Sequence, residues 1–401
     1  MTVDTISTMR RWSMLAIALT ATLFANVFIN GAAFLIPTLH TERGLDLAAA
    51  GLLSAMPSFG MVITLIAWGY VVDRVGERIV LALGSALTAA AAFAAASAHT
   101  LFAVGAFLLL GGMAAASSNT ASGRLVVGWF PPHQRGLVMG IRQTAQPLGV
   151  GLGALVIPRL AENYGVSAAL LFPAGLCAVA AVVCALAVQD PPRPPRAEAD
   201  ESDLANPYRG SATLWRIHAV SVLLVAPQVV VWTFTLVWLM AERGWSAASA
   251  GLLVTSAQVL GAAGRIAAGR WSDIVSSRLR PVRIIAMAAA ASMGLLALTD
   301  WLNSPISVAM VIVASVITVS DNGLAFTAIA EIAGPFWSGR ALGTQNTSQL
   351  LTAGVAPPLF GALIGVAGYA AAFAVCALFP LIAIPLVPVE SDPLNGDPAA
   401  S

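Results

Sequence analysis

The sequence has no lysine and few charges of any kind. All 20 of its basic residues are arginine, and only 10% of its 401 residues are charged, against 58% that are hydrophobic. A soluble domain usually carries about 25% charged residues. So few charges cannot cover a water-exposed surface, which excludes an ordinary soluble globule and leaves lipid as the solvent for most of the exterior. The net charge is only +1, which argues against a nucleic-acid partner. The three cysteines, Cys177, Cys184 and Cys376, sit inside apolar runs and read as small buried hydrophobes. The four histidines, His40, His99, His133 and His218, are dispersed near segment ends without metal-ligand spacing. Neither His-Glu-x-x-His nor Gly-x-Ser-x-Gly occurs. No metal, cofactor or catalytic set is therefore expected, and an intramembrane enzyme is excluded.

What the sequence has in abundance is long apolar runs. A spanning helix needs about 20 mostly apolar residues. Such segments fall at roughly 13–39, 47–71, 78–98, 101–129, 136–158 and 166–188, and again at roughly 216–240, 247–270, 281–301, 306–332, 340–366 and 369–388. The first follows Arg10 and Arg11 as a signal peptide would, but it is far longer than a signal's apolar region of roughly 7–15 residues. It reads as a retained spanning helix. The connections are short and carry most of the charge. The exception is the stretch from Gln189 to about Thr213, rich in proline and charge, which reads as a solvated linker. The expected organisation is all-α and membrane-integral: twelve transmembrane helices, with a six-helix bundle over 1–188, a cytoplasmic linker over 189–215 and a second six-helix bundle over 216–401.

Arginine placement orients the chain. With the N-terminus in the cytoplasm, fourteen arginines are internal: Arg10, Arg11, Arg74, Arg78, Arg135, Arg193, Arg196, Arg209, Arg216, Arg270, Arg278, Arg280, Arg283 and Arg340. Three, Arg43, Arg159 and Arg243, are external. Fourteen against three predicts that both termini and the linker are cytoplasmic.

The two halves repeat each other. Gly51-Leu52-Leu53 recurs as Gly251-Leu252-Leu253, and Gly69 and Asp73 recur as Gly269 and Asp273, at an offset of 200. At an offset of 203, Ser117-Ser118-Asn119 matches Ser320-Asp321-Asn322, and Gly136, Gly140, Thr144 and Gly165 match Gly339, Gly343, Thr347 and Gly368. Two parallel six-helix halves suit alternating access, with one half rocking against the other around a midplane site.

The run Gly69-Tyr70-Val71-Val72-Asp73-Arg74-Val75-Gly76-Glu77-Arg78 resembles the signature loop of the major facilitator superfamily, Gly-x-x-x-Asp-Arg-x-Gly-x-Arg. The second copy keeps Gly269 and Asp273 but has Ile274 in place of the arginine. With the twelve segments and the repeat, the resemblance covers essentially the whole chain and implies a secondary transporter. The run Gly123-Arg124 to Phe130, followed by Arg135-Gly136 and Gly140-Ile141-Arg142-Gln143-Thr144, looks like bacterial cyanate- and nitrate-permease relatives. Gly264-Arg265 looks like carboxylate-transporting members. Both resemblances imply an anionic solute. The antiporter pattern of the fifth helix is poorly matched by Gln146-Pro147-Leu148-Gly149, which weakens the alternative reading, proton-driven efflux of cationic or lipophilic compounds.

Ionisable residues inside a membrane are costly and are functional candidates by default. Five stand out: Arg124, Arg142, Arg265, Asp321 and Glu331. Three positive charges against two negative would attract an anion, and the arginine fork suits planar oxyanions. The three arginines lie within roughly two turns of the inner helix ends, so they could instead snorkel or pair with Asp73 and Asp273 as a gate. Arg142 and Arg265 are the candidate solute contacts. Gly69, Asp73, Arg74, Gly76, Arg78, Arg124, Asp273 and Glu331 are the candidate gate. Asp321, near the middle of the tenth segment, should pair with an arginine or hold a proton part of the time, which makes it the proton-coupling candidate or a fixed brace. Asn26 and Asn30 share one face of the first segment, and Gln228 and Trp232 share one face of the seventh. The family resemblance implies that these two helices line the cavity. With Asn119 and Asn322, these residues are either solute contacts or interhelical hydrogen bonds. Gly149/Gly153 and Gly361/Gly365 read as close-packing faces. The expected partners are a small anion, the lipid bilayer and protons, and each chain, containing both halves, is expected to act as a monomer.

Overall fold

The computed structural model describes residues 7–36, 38, 47–192 and 198–394. His40, Arg43, Arg193 and Arg196 lie outside the described residues. Among those described, all regular structure is helical. In the first half, α1 is Thr8–Gly31, continued by a 3-10 turn at Ala32–Leu35, and α2 to α6 are Leu47–Val75, Glu77–Ser97, Leu101–Trp129, Pro132–Arg142 and Ala145–Ala187. After a single turn at Glu201–Leu204 come α7 to α12: Thr213–Ala241, Ala247–Ile274, Leu279–Trp301, Ile306–Ser320, Asn322–Ala333 and Ser338–Leu386. Side-chain hydroxyls start several of them. Thr100 accepts the Ala103 amide at 3.2 Å ahead of α4, and Ser246 accepts the Ser249 amide at 3.2 Å ahead of α8, each satisfying an amide that the helix cannot.

Ten helical runs among the described residues are long and apolar enough to cross a membrane. Two of these, Pro132–Ala187 and Ser338–Leu386, are 56 and 49 residues long, far more than a bilayer needs. Each contains one non-helical residue, Gly165 at φ 82° and Gly368 at φ 80°. A side chain is disfavoured at that φ, so glycine turns the chain there. The two breaks are repeat-mates at an offset of 203, and they resolve the ten runs into the twelve expected spans. Large apolar side chains such as Ile63, Phe93, Leu155, Leu252, Val259 and Leu359 are exposed along the spans, as a lipid-facing surface requires.

Two spans carry an interruption that hydropathy does not register. The fifth span stops helical bonding after Arg142 and resumes at Ala145. Pro147 has no amide hydrogen, so the Gln143 carbonyl four residues earlier lacks its intrahelical donor. The tenth span loosens at Asp321, between α10 and α11, where the backbone stays in the helical region at φ −76° and ψ −22°. Ser320, Asp321, Asn322 and Gly323 are consecutive poor helix formers, and the Ser320 hydroxyl turns back to the Val316 carbonyl at 2.6 Å.

The described chain forms two compact units. Unit 1 comprises Met1–Pro131, Thr144–Ala205 and Ala333–Thr347; unit 2 comprises Pro132–Gln143, Asn206–Ile332 and Ser348–Ser401. In unit 1, α2 packs on α4, α3 on α4 and α6, and α1 on α6. Gly149 allows the last contact, because a Cβ there would meet Asn26; Gly365, by contrast, has open space beside it. In unit 2, α8 packs on α5 and α10, and α9 on α10. Its core gathers Trp238, Met293, Leu296, Val311, Phe360 and Phe373.

Candidate functional site

Unit 1 builds a charged cluster around the signature loop. The Asp73 carboxylate, at the end of α2, accepts the amides of Gly339 at 2.8 Å and Arg340 at 3.1 Å in the first turn of α12. First-turn amides have no intrahelical acceptor, and the helix dipole adds positive potential there, so a carboxylate is the natural cap. The approach is so close that a Cβ on Gly69 or Gly339 would strike the other residue's carbonyl oxygen. Two arginines flank the carboxylate. Arg340 Nε donates to it at 3.0 Å, and Arg124 Nε lies 3.6 Å away. Arg124 also reaches Glu77 at 3.1 Å, the Val72 and Pro335 carbonyls at 2.6 and 2.7 Å, and the Ser338 hydroxyl at 3.3 Å. Arg74 and Arg78 point elsewhere. Arg74 lies 4.5 Å over the Tyr70 ring, and Arg78 Nε donates to the Ala185 carbonyl at 2.9 Å. Gly76, at φ 94°, turns the chain between α2 and α3.

Unit 2 repeats the arrangement. Asp273 accepts the amides of Gly136 at 3.0 Å and Leu137 at 2.8 Å in the first turn of α5, and Gly136 and Gly269 approach as Gly69 and Gly339 do. Here the central cation is Arg278, fully buried, donating to Asp273 at 2.7 Å, Ser272 at 2.8 Å, Glu331 at 3.1 Å and the Pro132 carbonyl. Arg135 reaches the same Glu331 at 3.3 Å. Burial works against the Arg278 charge, but Glu331 and Asp273 outweigh it and hold the guanidinium above its ordinary pKa. Arg278 and Glu77 are absent from the set of residues the sequence singles out. Arg278 is the repeat-mate of Arg78 at an offset of 200, a signal that was available.

Deeper in unit 2 lies a second polar group. Arg265 on α8 is 3% exposed. Its Nη1 donates at 3.3 Å to the Gln143 carbonyl that Pro147 leaves open, its Nε has no hydrogen-bond partner, and its guanidinium lies 5.8 Å from the centre of the Trp232 ring. Among the described residues it forms no salt bridge. Asp321 is 1% exposed and its Oδ2 has no hydrogen-bond partner. Arg265 and Asp321 feel each other's charge without coming within ion-pair distance. Asn322, next in sequence, donates to Gln228 at 3.0 Å and accepts from Gln349 at 3.3 Å, forming a chain of amides. Arg142, buried at the end of α5, lies 5.8 Å from the centre of the Phe326 ring and 3.7 Å from the Met139 sulfur. Of the candidate solute contacts, unit 2 therefore holds Arg142, Arg265, Gln228, Trp232 and Asn322, together with Asp321. Unit 1 holds Asn26, Asn30 and Asn119. The first two bond back into their own helix, to the carbonyls of Thr22 at 2.8 Å and Asn26 at 3.0 Å, and Asn119 faces the Met61 sulfur at 3.5 Å.

This twelve-span helical fold has counterparts. The family model described as Major Facilitator Superfamily matches residues 16–357. The chain belongs to the Major Facilitator Superfamily. It is 61% identical over 380 residues, 95% of this chain and 85% of the relative, to an uncharacterised MFS-type transporter of Mycobacterium tuberculosis. It is 24% identical over 92% of its length to a gallate transporter of Pseudomonas putida, covering 91% of that protein. Among solved structures, a human organic anion transporter superposes with a TM-score of 0.73 at 18% identity, covering 95% of this chain and all of that one. The fucose:proton symporter of E. coli superposes with a TM-score of 0.71 at 18% identity, covering 93% of this chain and 97% of that one. The protein is thus a multi-pass membrane transporter and not an enzyme.

Proposed function

We propose that this transporter moves a small organic or inorganic anion by alternating access, with Arg265 and Arg142 as the cationic contacts and Asp321 as the proton-coupling carboxyl. The observation that carries the reading is Arg265: a buried guanidinium with one hydrogen bond at 3.3 Å, an unpartnered Nε and no salt bridge among the described residues. A buried cation so poorly compensated costs several kcal/mol. A bound oxyanion would supply what is missing, since a carboxylate accepts two parallel N–H bonds from one guanidinium. The amide chain of Gln228, Asn322 and Gln349 offers donors and acceptors to the rest of the solute. Relatives named for gallate and for organic anions support the same class, whereas the fucose symporter shows that the fold alone fixes no substrate.

In this reading the bundles 1–188 and 216–401 rock about the bound solute, and the Asp73 and Asp273 clusters, with Arg124 and Glu331, are the gates. The protein resides in a bacterial inner membrane as a monomer with cytoplasmic termini. The test is a thermal-shift screen of purified protein with small carboxylates and inorganic oxyanions set against cations, sugars and amphiphilic drugs. A ligand at 100 times its Kd stabilises by about 2.7 kcal/mol. An anion that shifts the wild type and fails to shift Arg265→Gln supports the reading. Stabilisation by cations or drugs alone overturns it.

A further inference from the structure

In each half a carboxylate just beyond the last helix grips the turn that follows the signature aspartate. After α12 the chain turns back, and Asp392, 5% exposed, inserts at the start of α9. Its Oδ1 accepts the Arg278 amide at 3.1 Å, and its Oδ2 accepts the Leu279 amide at 2.8 Å and the Ser277 hydroxyl at 2.5 Å. The N-cap residue of α9, Arg278, makes no side-chain cap bond of its own; the Ser277 hydroxyl, itself bonded to Asp392, accepts the Arg280 amide at 3.1 Å. The loop itself is strained, because Ser276 holds φ 47°, a region unfavourable to any residue with a side chain.

The first half has the same device. Asp190, just past α6, accepts the Arg78 amide at the start of α3 at 2.8 Å. The turn it grips is Gly76, the repeat-mate of Ser276, also at positive φ. Gly76 has no room for a side chain, since a Cβ there would meet the Asp190 carboxylate at 2.5 Å. Asp190 and Asp392 stand 202 residues apart, within the offset of the repeat.

We infer that Asp392 is a positioning residue, a strap that holds the turn after Asp273 so that Arg278 completes the charged cluster; Asp190 grips the corresponding turn of the first half through Arg78, which stays outside its cluster. The Arg278 backbone amide is held by Asp392 while its guanidinium joins Asp273 to Glu331. Asp273 in turn accepts the amides of Gly136 and Leu137. The chain of contacts runs from Asp392 through Arg278 and Asp273 to the first turn of α5. Asp190 has one such bond and is exposed, so its strap is the looser one.

The test is amide hydrogen exchange on the reconstituted full-length protein, comparing wild type with Asp392→Ala and the milder Asp392→Asn. The Arg278 and Leu279 amides lose their acceptor in Asp392→Ala and should exchange about five- to tenfold faster, the equivalent of a lost helix cap. The decisive amides are Gly136 and Leu137, which Asp392 does not touch. Faster exchange there, graded from Asn to Ala, shows that the strap positions the cluster. Unchanged protection at Gly136 and Leu137, with Arg278 and Leu279 accelerated, reduces Asp392 to a local cap and overturns the inference. Should Asp392→Ala fail to fold, the Asn variant alone decides by the same two pairs of amides. Asp190→Asn should accelerate the Arg78 amide and leave Gly136 and Leu137 unchanged.

Discussion

Two buried arginines of unit 2 should respond to the same substitution in opposite ways. Arg278 is fully buried and bonds to Asp273, Ser272, Glu331 and the Pro132 carbonyl. Arg278→Gln shortens the side chain, removes the charge and leaves two buried carboxylates without their common cation. Breaking a buried ion pair from one side costs about 3–5 kcal/mol. Asp273 keeps its two α5 amides and Glu331 keeps Arg135, which places the expected loss near the lower end, about 3 kcal/mol. Arg265 is as deeply buried but holds one hydrogen bond at 3.3 Å and an unpartnered Nε. Arg265→Gln removes a desolvated charge at the expense of one long bond, so its stability should stay within about 1 kcal/mol of wild type or rise.

The assay is denaturant unfolding of each variant in the same detergent without ligand, followed by anion titration. Arg278→Gln should unfold early yet keep its anion response under conditions where it is folded. Arg265→Gln should unfold where the wild type does and lose that response. If Arg265→Gln is destabilised as much as Arg278→Gln, Arg265 is a structural ion in a satisfied site, and the observation that carries the anion reading fails.

Asp321→Asn should abolish accumulation driven by a proton gradient while preserving solute counterflow, measured in proteoliposomes; loss of both would make Asp321 a brace. Gly136→Val should cost more than about 2 kcal/mol and stop transport, because its Cβ would strike the Gly269 carbonyl and Asp273; wild-type flux would contradict the close approach. Ser276→Gly relieves a side chain held at φ 47° and should leave stability unchanged or raise it by up to about 1 kcal/mol, read from the unfolding midpoint.

Much of the fold was legible because lipid imposes a simple code: apolar runs of sufficient length, turn glycines and arginine bias. Gly165 and Gly368 could be matched as repeat-mates, and each proves to be the turn between two spans. The interruptions after Arg142 and at Asp321 were not legible, since hydropathy averages over them, although Pro147 and the run Ser320 to Gly323 carry the local signal. At the polar group, the residues were legible by their cost in an apolar run. Their partners were not, because a hydrogen bond such as Arg265 to the Gln143 carbonyl joins residues 122 apart through a backbone atom that every sequence possesses. Asp392 and Asp190 were invisible for another reason: an acidic residue beyond the end of a span is cheap in water and raises no alarm until the fold buries it or sets it on a helix amide.

The two charged clusters show which part of a repeat physics preserves. The carboxylates Asp73 and Asp273 and the glycines that admit them, Gly69, Gly136, Gly269 and Gly339, all obey the repeat offsets. Of the other charges, Arg278 alone has a like residue at its repeat-related position, Arg78, and that arginine turns instead to the Ala185 carbonyl. At the repeat-related positions Arg124 meets Thr327, Arg340 meets Leu137, Arg135 meets Ser338, Glu77 meets Ser277 and Glu331 meets Gly128. Yet each cluster is a neutral foursome: Arg124 and Arg340 with Asp73 and Glu77 in unit 1, Arg135 and Arg278 with Asp273 and Glu331 in unit 2. A carboxylate that caps a helix through two amides needs backbone at contact distance, and only glycine at fixed positions permits that. Charge neutrality makes no such demand, because a long arginine side chain can deliver its guanidinium from several neighbouring turns. The contact that depends on backbone geometry kept its sequence, and the contact that depends only on charge kept its sum.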